Sequence, residues 1–523
     1  MIEKDGPRTP APPTIGALLE RRALRNRGAP ALTADGLRFD FGALQDWAVA
    51  VEAALSDAGI GPGDRVAVLS RNSAASVALY YGVARRGAIL CNVNIRLGSE
   101  ELALVIEDCA PVLIVAQPDF ADGAAALAKR FGIAHRWTIG EGVFPAPPER
   151  VNPGSTLVSV DAAGNVNAQT PVASDQPLLL VYTSGTTGRP RGALLSHAGL
   201  YWAAATMAGS LDYRPGDVSL IPVPLFHVGG MSSATLFPLL GACAVVPPAW
   251  EPGAILRAIE TERVNHFFAV ATMLRSLLDH PDFAATDLTS LRFIMAGGAP
   301  VSIDLIEAFD ELGIPVLHTY GSTETAGPAT VVDSAHHLTK GTSAGLPFFH
   351  TDLRIVGENG TALGADEVGE IQVRAPHLIM GYWGDPQATA DAFTDGWFRT
   401  GDVGCLDTDG YLYVKDRKKD VIISGGENIF PAEVEAVLAQ HPSIADVAVV
   451  ARPDPAWGEV PCAIVVLRRG ATTLSQKAIE DFCAGRLARF KTPKAIQIAD
   501  QPLPRNATGK LLRHQLRNTV ASA

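Results

Sequence analysis

Between Tyr182 and Gly192 the chain reads YTSGTTGRPRG. Hydroxyl side chains alternate there with glycines, whose missing Cβ lets several backbone N–H groups converge on one anion, and Arg189 and Arg191 add positive charge. Such a string suits a phosphate cradle. The apolar run Pro177 to Val181 before it reads as a buried strand and Ala193 to Leu195 after it as a second, so the loop joins strand to strand. A Walker loop requires GxxxxGK and then Ser or Thr opening a helix, and Gly192 has neither neighbour. The competing reading is a Gly- and Thr-rich surface turn.

Other residues of suitable chemistry are scattered downstream. Glu324, beside Thr323 in YGSTET, offers the hard carboxylate oxygen that magnesium takes alongside phosphate. Asp402 ends RTGD, a turn in which two carboxylate oxygens can accept both hydroxyls of a ribose, and Arg417 could donate to the same sugar. A turn-capping Asp and a surface Arg account for the same two residues. Tyr320 could stack on adenine or fill a strand end. Gly297, Gly298 and Ala299 follow an apolar strand, Leu291 to Met295, and their lack of bulk admits a flat base or an acyl chain. His227, between Phe226 and Val228, is a core histidine or a polar group in a pocket.

Taken in chain order, the phosphate loop, PLFHVGG (Pro224 to Gly230), GGAP (Gly297 to Pro300), YGSTET (Tyr320 to Thr325), WFRTGD (Trp397 to Asp402), KDRKKDVIISGGENI (Lys415 to Ile429) and PRNATGK (Pro504 to Lys510) resemble the adenylate-forming superfamily. That superfamily includes acyl- and aryl-CoA synthetases, luciferases and the adenylation domains of nonribosomal synthetases. The resemblance spans nearly the whole chain and implies a reaction in two halves. A carboxylate and ATP give acyl-AMP and pyrophosphate, then a thiol displaces AMP. ATP, Mg2+ and coenzyme A are the implied cofactor and co-substrates. The resemblance puts Thr183, Ser184, Gly185, Thr186, Thr187, Gly188 and Arg191 on the phosphates, and Gly298, Ala299, Pro300, Tyr320, Gly321, Ser322 and Thr323 around the nucleotide. Asp402 and Arg417 would hold the ribose and Glu324 the metal. His227, Val228, Gly229, Ser233, Gly297, Gly298, Gly321 and Pro328 would line the acid pocket. Lys510 matches the lysine of the first half-reaction and, with His227 and Glu324, forms the catalytic set. Lys419 matches the hinge about which a mobile C-terminal domain turns, and Gly425, Gly426 and Glu427 would then face the thiol channel. Arg191 stands where the family more often has lysine, which keeps the charge but exchanges a point charge for a planar fork. Thr325 before Ala326 is a second departure, near the wall at Pro328.

After His227 come Gly229, Gly230, Ser232, Ser233 and Ala234, all small where similar plant coumarate ligases place an aromatic residue. The pocket is therefore expected to be roomy or long. No basic residue occurs in that stretch, which disfavours a second free carboxylate such as that of malonate. The expected acid is a medium- or long-chain fatty acid or a phenylpropenoic acid such as ferulate. A module that loads a phosphopantetheine carrier protein is the alternative, and the absence of a fused carrier domain favours free coenzyme A. A luciferase-type oxygenase and a nonenzymatic nucleotide sensor are weaker readings, the sensor having no need of Lys510.

The elements that must position these residues follow from the rest of the chain. At 523 residues it exceeds one ordinary domain. Hydrophobic residues at 47% against charged residues at 19% mark a globular, soluble class. A formal net charge of -12 argues against a nucleic-acid partner, so any ATP or coenzyme A site is a local positive pocket on an acidic body. No apolar run approaches the ~20 residues that span a bilayer, and the start MIEKDGPRTPAPP lacks a signal-type segment, so the expected location is the cytoplasm. Cys91, Cys109, Cys243, Cys405, Cys462 and Cys483 form no CxxC pair and read as buried reduced thiols. A homodimer is the one macromolecular assembly left open.

Residues 1 to about 13 read as a loose tail. Beyond them, helix (Phe41 to Ala58), strand (Arg65 to Leu69), helix (Val77 to Ala84) and strand (Ala88 to Val93) alternate, as in a parallel sheet wrapped by helices. The rhythm resumes with strands at Val218 to Val223, Val264 to Val270, Leu291 to Met295 and Val316 to His318. From Thr351 to Leu412, short strands and Gly-rich turns suit a small β-barrel or antiparallel region. The end reads as α+β: a helix opened by Pro431 and running to Leu438, strands at Val447 to Val450 and Cys462 to Leu467, and a helix from Ser475 to Leu487. The expected architecture is α/β, with an N-terminal domain of residues 1–415 and a small mobile domain of residues 416–523.

Overall fold

A computed structural model describes residues 12–148, 171–183, 190–471, 473–505 and 511–521. The expected tail, the loop residues Ser184, Gly185, Thr186, Thr187 and Gly188, and Lys510 thus lie outside the described residues or nearly so, only the last two residues of the tail being described. The chain forms two compact units, residues 1–352 with 373–398, and residues 353–372 with 399–523.

The first unit is α/β. Its seven-stranded sheet runs Gly381–Tyr382, Arg191–Ser196, Pro177–Thr183, Ile89–Asn92, Arg65–Leu69, Leu113–Ala116, His135–Thr138. The last five of these pair in parallel. Parallel pairing needs crossovers, and helices such as Ala74–Arg86 and Ser99–Cys109 supply them while covering strands, Leu113–Ala116 for example, that are buried along their whole length. A nine-stranded sheet carries Val218–Leu220, His266–Ala269, Phe293–Gly297 and Val316–Tyr320 as parallel neighbours. Side-chain caps start the helices where the sequence puts Asp and Ser: Asp40 accepts the Ala43 N–H, and Ser73 accepts that of Ser76.

Two buried tyrosines tie this scaffold to the helix that follows His227. Tyr80 and Tyr81 lie on Ala74–Arg86; the Tyr80 hydroxyl is 2.7 Å from Thr235 Oγ1, and that of Tyr81 donates to the Ala234 carbonyl at 2.5 Å. Burial raises the pKa of both phenols, so they stay protonated. The expected strand Val218 to Val223 ends early, at Leu220. Pro222 and Pro224 have no N–H to give a ladder, and Asn72 takes over: its Nδ2 donates to the Val223 carbonyl at 2.9 Å and its Oδ1 accepts from Leu225 at 2.8 Å.

In the second unit the short-strand region is an antiparallel sheet in which Trp397–Leu406 pairs with Leu412–Arg417, following Asp352–Val356 and Gly369–Arg374 in sheet order. Asp402 registers with Arg417 in that sheet, and both lie in this unit. A second sheet holds Ile422–Ser424, Glu427–Ile429, Ile444–Asp454, Gly458–Leu467 and Ala495–Ile498, with Pro431–Leu438 and Gln476–Cys483 as helices. Ser475 caps the latter as expected, accepting from Ala478. That helix stops at Cys483 rather than Leu487, shortly before Gly485 at φ +76°.

Candidate active site

The two strands flanking the phosphate loop form an antiparallel pair, Thr183 opposite Arg191, and Thr183 Oγ1 lies 3.4 Å from the Arg191 carbonyl. The strand-to-strand arrangement read from the sequence is therefore present. Arg191 extends its guanidinium carbon to 5.7 Å from the centre of the Tyr382 ring. The Tyr382 hydroxyl in turn donates to Glu324 Oε1 at 3.1 Å. One aromatic side chain thus spans from the phosphate-loop cation to the expected metal ligand.

Glu324 sits in the turn after the strand Val316–Tyr320, whose last residue, Tyr320, is half-buried. The turn is dictated locally. A Cβ on Gly321 would stand 1.7 Å from the Gly327 carbonyl oxygen, so only glycine lets the chain double back here. Thr325, one of the departures noted above, is buried and knits the turn: its Oγ1 accepts the Ser322 N–H at 2.9 Å. The Ser322 hydroxyl is buried without a partner among the described residues. Thr323 is half-buried, Pro328 is buried, and Gly298, Ala299 and Pro300 are exposed after the buried end of Phe293–Gly297. Gly297 packs against the neighbouring strand, where a Cβ would meet Thr319 O at 2.4 Å.

His227 is the N-cap residue of Val228–Leu240 but makes no capping bond. Its Nε2 is buried and has no partner among the described residues. Burial, and secondarily the charge of Arg96, depress its pKa to about 4, so the imidazole is neutral at pH 7. Behind it, a Cβ on Gly229 would lie 3.3 Å from the Phe268 ring, whereas the Ser233 hydroxyl is turned to its own helix, donating to Gly229 O at 2.9 Å. Ser232, seen from sequence only as small, lies 2.5 Å from the Ala326 carbonyl and fastens this helix to the Glu324 turn.

In the second unit, Asp402 and Arg417 form an ion pair, Nε to Oδ1 2.7 Å, with the Asp402 side chain 7% exposed. Lys419 is exposed, yet desolvation by the groups around it lowers its ammonium pKa, and its carbonyl accepts from Arg517 at 3.0 Å. Gly425 and Gly426, at φ +60° and +88°, form the two-residue turn of a hairpin in which Ser424 registers with Glu427. Exposed Trp457 covers Gly425, whose Cβ would meet the indole at 2.6 Å.

Among the described residues no group of three or more His, Cys, Asp or Glu could hold a metal ion. A magnesium ion carried on phosphate needs only one or two protein carboxylates, and Glu324, with lone pairs beyond the one given to Tyr382, fits that demand. The orphaned Ser322 hydroxyl and His227 imidazole are polar atoms of the kind a bound nucleotide and acid would satisfy.

The sequence pointed to Arg191, Glu324 and His227 but not to Tyr382, Asn72, Phe268 or Trp457, and it marked Ser232 only as a small residue. Comparison with known proteins bears on the whole arrangement. A family model for AMP-binding enzymes matches residues 19–383, and one for the C-terminal domain of these enzymes matches residues 433–510. The chain is 38% identical over 504 residues to a feruloyl-CoA synthase of Amycolatopsis sp, covering 96% of this chain and 98% of that one. It is 36% identical over 471 residues to a long-chain-fatty-acid–CoA ligase of Mycobacterium tuberculosis, covering 90% of each. The structure of an o-succinylbenzoate CoA synthetase from Bacillus subtilis, in complex with its acyl-adenylate intermediate, superposes with a TM-score of 0.84 at 32% identity, covering 96% of this chain and 97% of that one.

Proposed function

The chain belongs to the AMP-binding enzyme family and is an ATP- and Mg2+-dependent acid–CoA ligase, and on that premise we propose that its acid is a medium- or long-chain fatty acid or a phenylpropenoic acid of the ferulate type. The observation that carries this reading is the buried, neutral Nε2 of His227, without a partner among the described residues, at the head of a helix whose second residue, Gly229, leaves room beside the Phe268 ring. A neutral imidazole N–H can donate to one oxygen of a carboxylate and orient the other toward the α-phosphate without removing a proton. Apolar surroundings and small residues then accept a chain or ring.

In this reading Arg191 and the Thr183 to Gly188 loop hold the phosphates and the Glu324 carboxylate holds magnesium, whose charge, when bound, stabilises the phosphate oxygens. Asp402, oriented by Arg417, accepts the ribose hydroxyls. Lys510 supplies positive charge in the first half-reaction only, and Lys419, Gly425, Gly426 and Glu427 serve the thiol half. We place the enzyme in the cytoplasm, in keeping with six cysteines that are all free thiols. No helix among the described residues is long and apolar enough to cross a membrane.

The test is pyrophosphate release across acids from acetate to palmitate, with cinnamate, coumarate and ferulate. Highest kcat/KM on chains of medium length or longer, or on the phenylpropenoic acids, supports the reading. A strong preference for acetate or malonate overturns it.

A further inference from the structure

We propose that Tyr382 is a positioning residue that couples the two charged ends of the nucleotide site, fixing the Glu324 carboxylate for magnesium and the Arg191 guanidinium for phosphate at once. The inference rests on the reading of Glu324 as metal ligand and of the 182–192 loop as phosphate cradle, and it adds a residue that carries neither role. The geometry is specific. The phenol donates to Glu324 Oε1 at 3.1 Å, a charge-assisted bond that selects one rotamer of an otherwise mobile carboxylate. The same ring lies 5.7 Å from the Arg191 guanidinium carbon, within reach of a cation–π contact.

The backbone leaves this ring little freedom. Tyr382 registers with Ala193 on the strand that leaves the phosphate loop. Met380 donates to Leu194 O at 2.8 Å and Trp383 to Gly192 O at 2.7 Å, while the Tyr382 N–H itself is held by Thr389 Oγ1 at 2.9 Å. Gly192 permits that approach: a Cβ there would come within 3.2 Å of Trp383 Cβ and 2.7 Å of Leu180 Cδ1. On the other side Ile379 donates to the Glu324 carbonyl at 2.9 Å, and His377 Nδ1 lies 2.8 Å from the Thr325 carbonyl. Residues 377–383 are therefore a strap threaded between the phosphate-loop strand and the metal turn, with Tyr382 as its side-chain bridge. A strap that served only packing would need an apolar ring at this position. The hydroxyl on a carboxylate and the ring beside a cation are the features that packing leaves unexplained.

Full-length wild type, Tyr382→Phe, Tyr382→Leu and Glu324→Gln should be titrated calorimetrically with ATP in the absence of acid, once with magnesium and once with EDTA. Tyr382→Phe keeps the ring and loses the donor. It should bind ATP in EDTA as wild type does, lose roughly 3- to 10-fold of the magnesium-dependent gain in affinity, and keep its thermal midpoint. Tyr382→Leu should also weaken binding in EDTA, because Arg191 loses its ring. A wild-type magnesium gain in Tyr382→Phe, with the gain lost in Glu324→Gln, overturns the positioning role while leaving the metal ligand in place. A magnesium gain that survives in Glu324→Gln overturns the metal reading itself, and this proposal with it.

Discussion

Arg417 closes on Asp402 across paired strands, Nε to Oδ1 2.7 Å, in the register that sets the two residues directly opposite each other. The carboxylate is nearly buried and the guanidinium half-exposed, so the pair fixes the orientation of the Asp402 side chain. Under the proposed function, a ribose would meet an acceptor already oriented.

If the ribose hydroxyls donate to that carboxylate, Asp402→Ala leaves them unmatched and should weaken ATP binding by roughly 1 to 3 kcal/mol. Steady-state kinetics with ATP as the varied substrate reads this. An unchanged KM for ATP at normal turnover would leave Asp402 as a strand staple alone.

At Arg191, charge and shape can be separated. Arg191→Lys keeps the cation but loses the planar face that meets Tyr382, whereas Arg191→Ala loses both. The KM for ATP should rise about tenfold or more in the alanine variant, the scale of one charge-assisted contact, and by a smaller factor in the lysine variant. Equal KM values in all three proteins would remove Arg191 from the phosphate site.

The sequence made some of these relationships legible and hid others for a physical reason. Strand, loop and strand around Tyr182 to Gly192 could be read because apolar runs and glycine clusters are local signals. Helix caps at Asp40, Ser73 and Ser475 are local in the same way. Tyr382 lies 58 residues from Glu324 and carries no motif of its own, and Asn72 reaches Val223 across 151 positions. Both are made meaningful only by strand pairing that brings distant segments together. The early stop at Leu220 belongs to the same class, since an asparagine far upstream supplies the bonds that two prolines cannot.

Burial also sets a pH dependence of stability. His197, His266 and His377 all have pKa values pushed down to about 4, chiefly by desolvation. An unfolded chain protonates them near 6.5, so between about 6.5 and 4 it binds more protons than the native state. Their contribution is fully present above pH 6.5 and is lost as pH falls toward 4, at roughly 1.4 kcal/mol per pH unit for each histidine at its limit. His197→Gln should reduce the slope of unfolding free energy against pH by about one proton, whatever it does to stability at pH 7. An unaltered slope in denaturant titrations from pH 7 to 4 would contradict a neutral native His197.

The role proposed for His227 gives a catalytic counterpart. With its pKa near 4, it stays neutral throughout the working range and should contribute no ionisation to the pH profile above about pH 5. His227→Ala should raise the KM for the acid and lower the rate of acyl-AMP formation, leaving the KM for ATP within about twofold. A profile limb near pH 6.5 that disappears in the variant would show a titrating histidine instead.

The two half-reactions can be separated by residue. Lys510 lies far beyond Lys419 in the chain, and under the proposed function it serves adenylation alone while Lys419 serves the thiol step. Lys510→Ala should lose ATP–pyrophosphate exchange by about two to three orders of magnitude, the scale of deleting one preorganised electrostatic group, and should still convert supplied acyl-AMP to acyl-CoA. Lys419 sits in the short turn Lys418–Asp420, where Arg517 holds its carbonyl and contacts Asp420 Oδ1 at 2.5 Å. Fixing φ there with Lys419→Pro should spare exchange and damage the thiol step, because rotation about that residue is restricted while the adenylating arrangement stays reachable. Both variants are assayed with acid plus ATP, and again with presynthesised acyl-AMP plus coenzyme A. Equal losses in the two assays for Lys510→Ala would assign the lysine to the fold or to both steps, and the separation of roles between Lys510 and Lys419 would have to be abandoned.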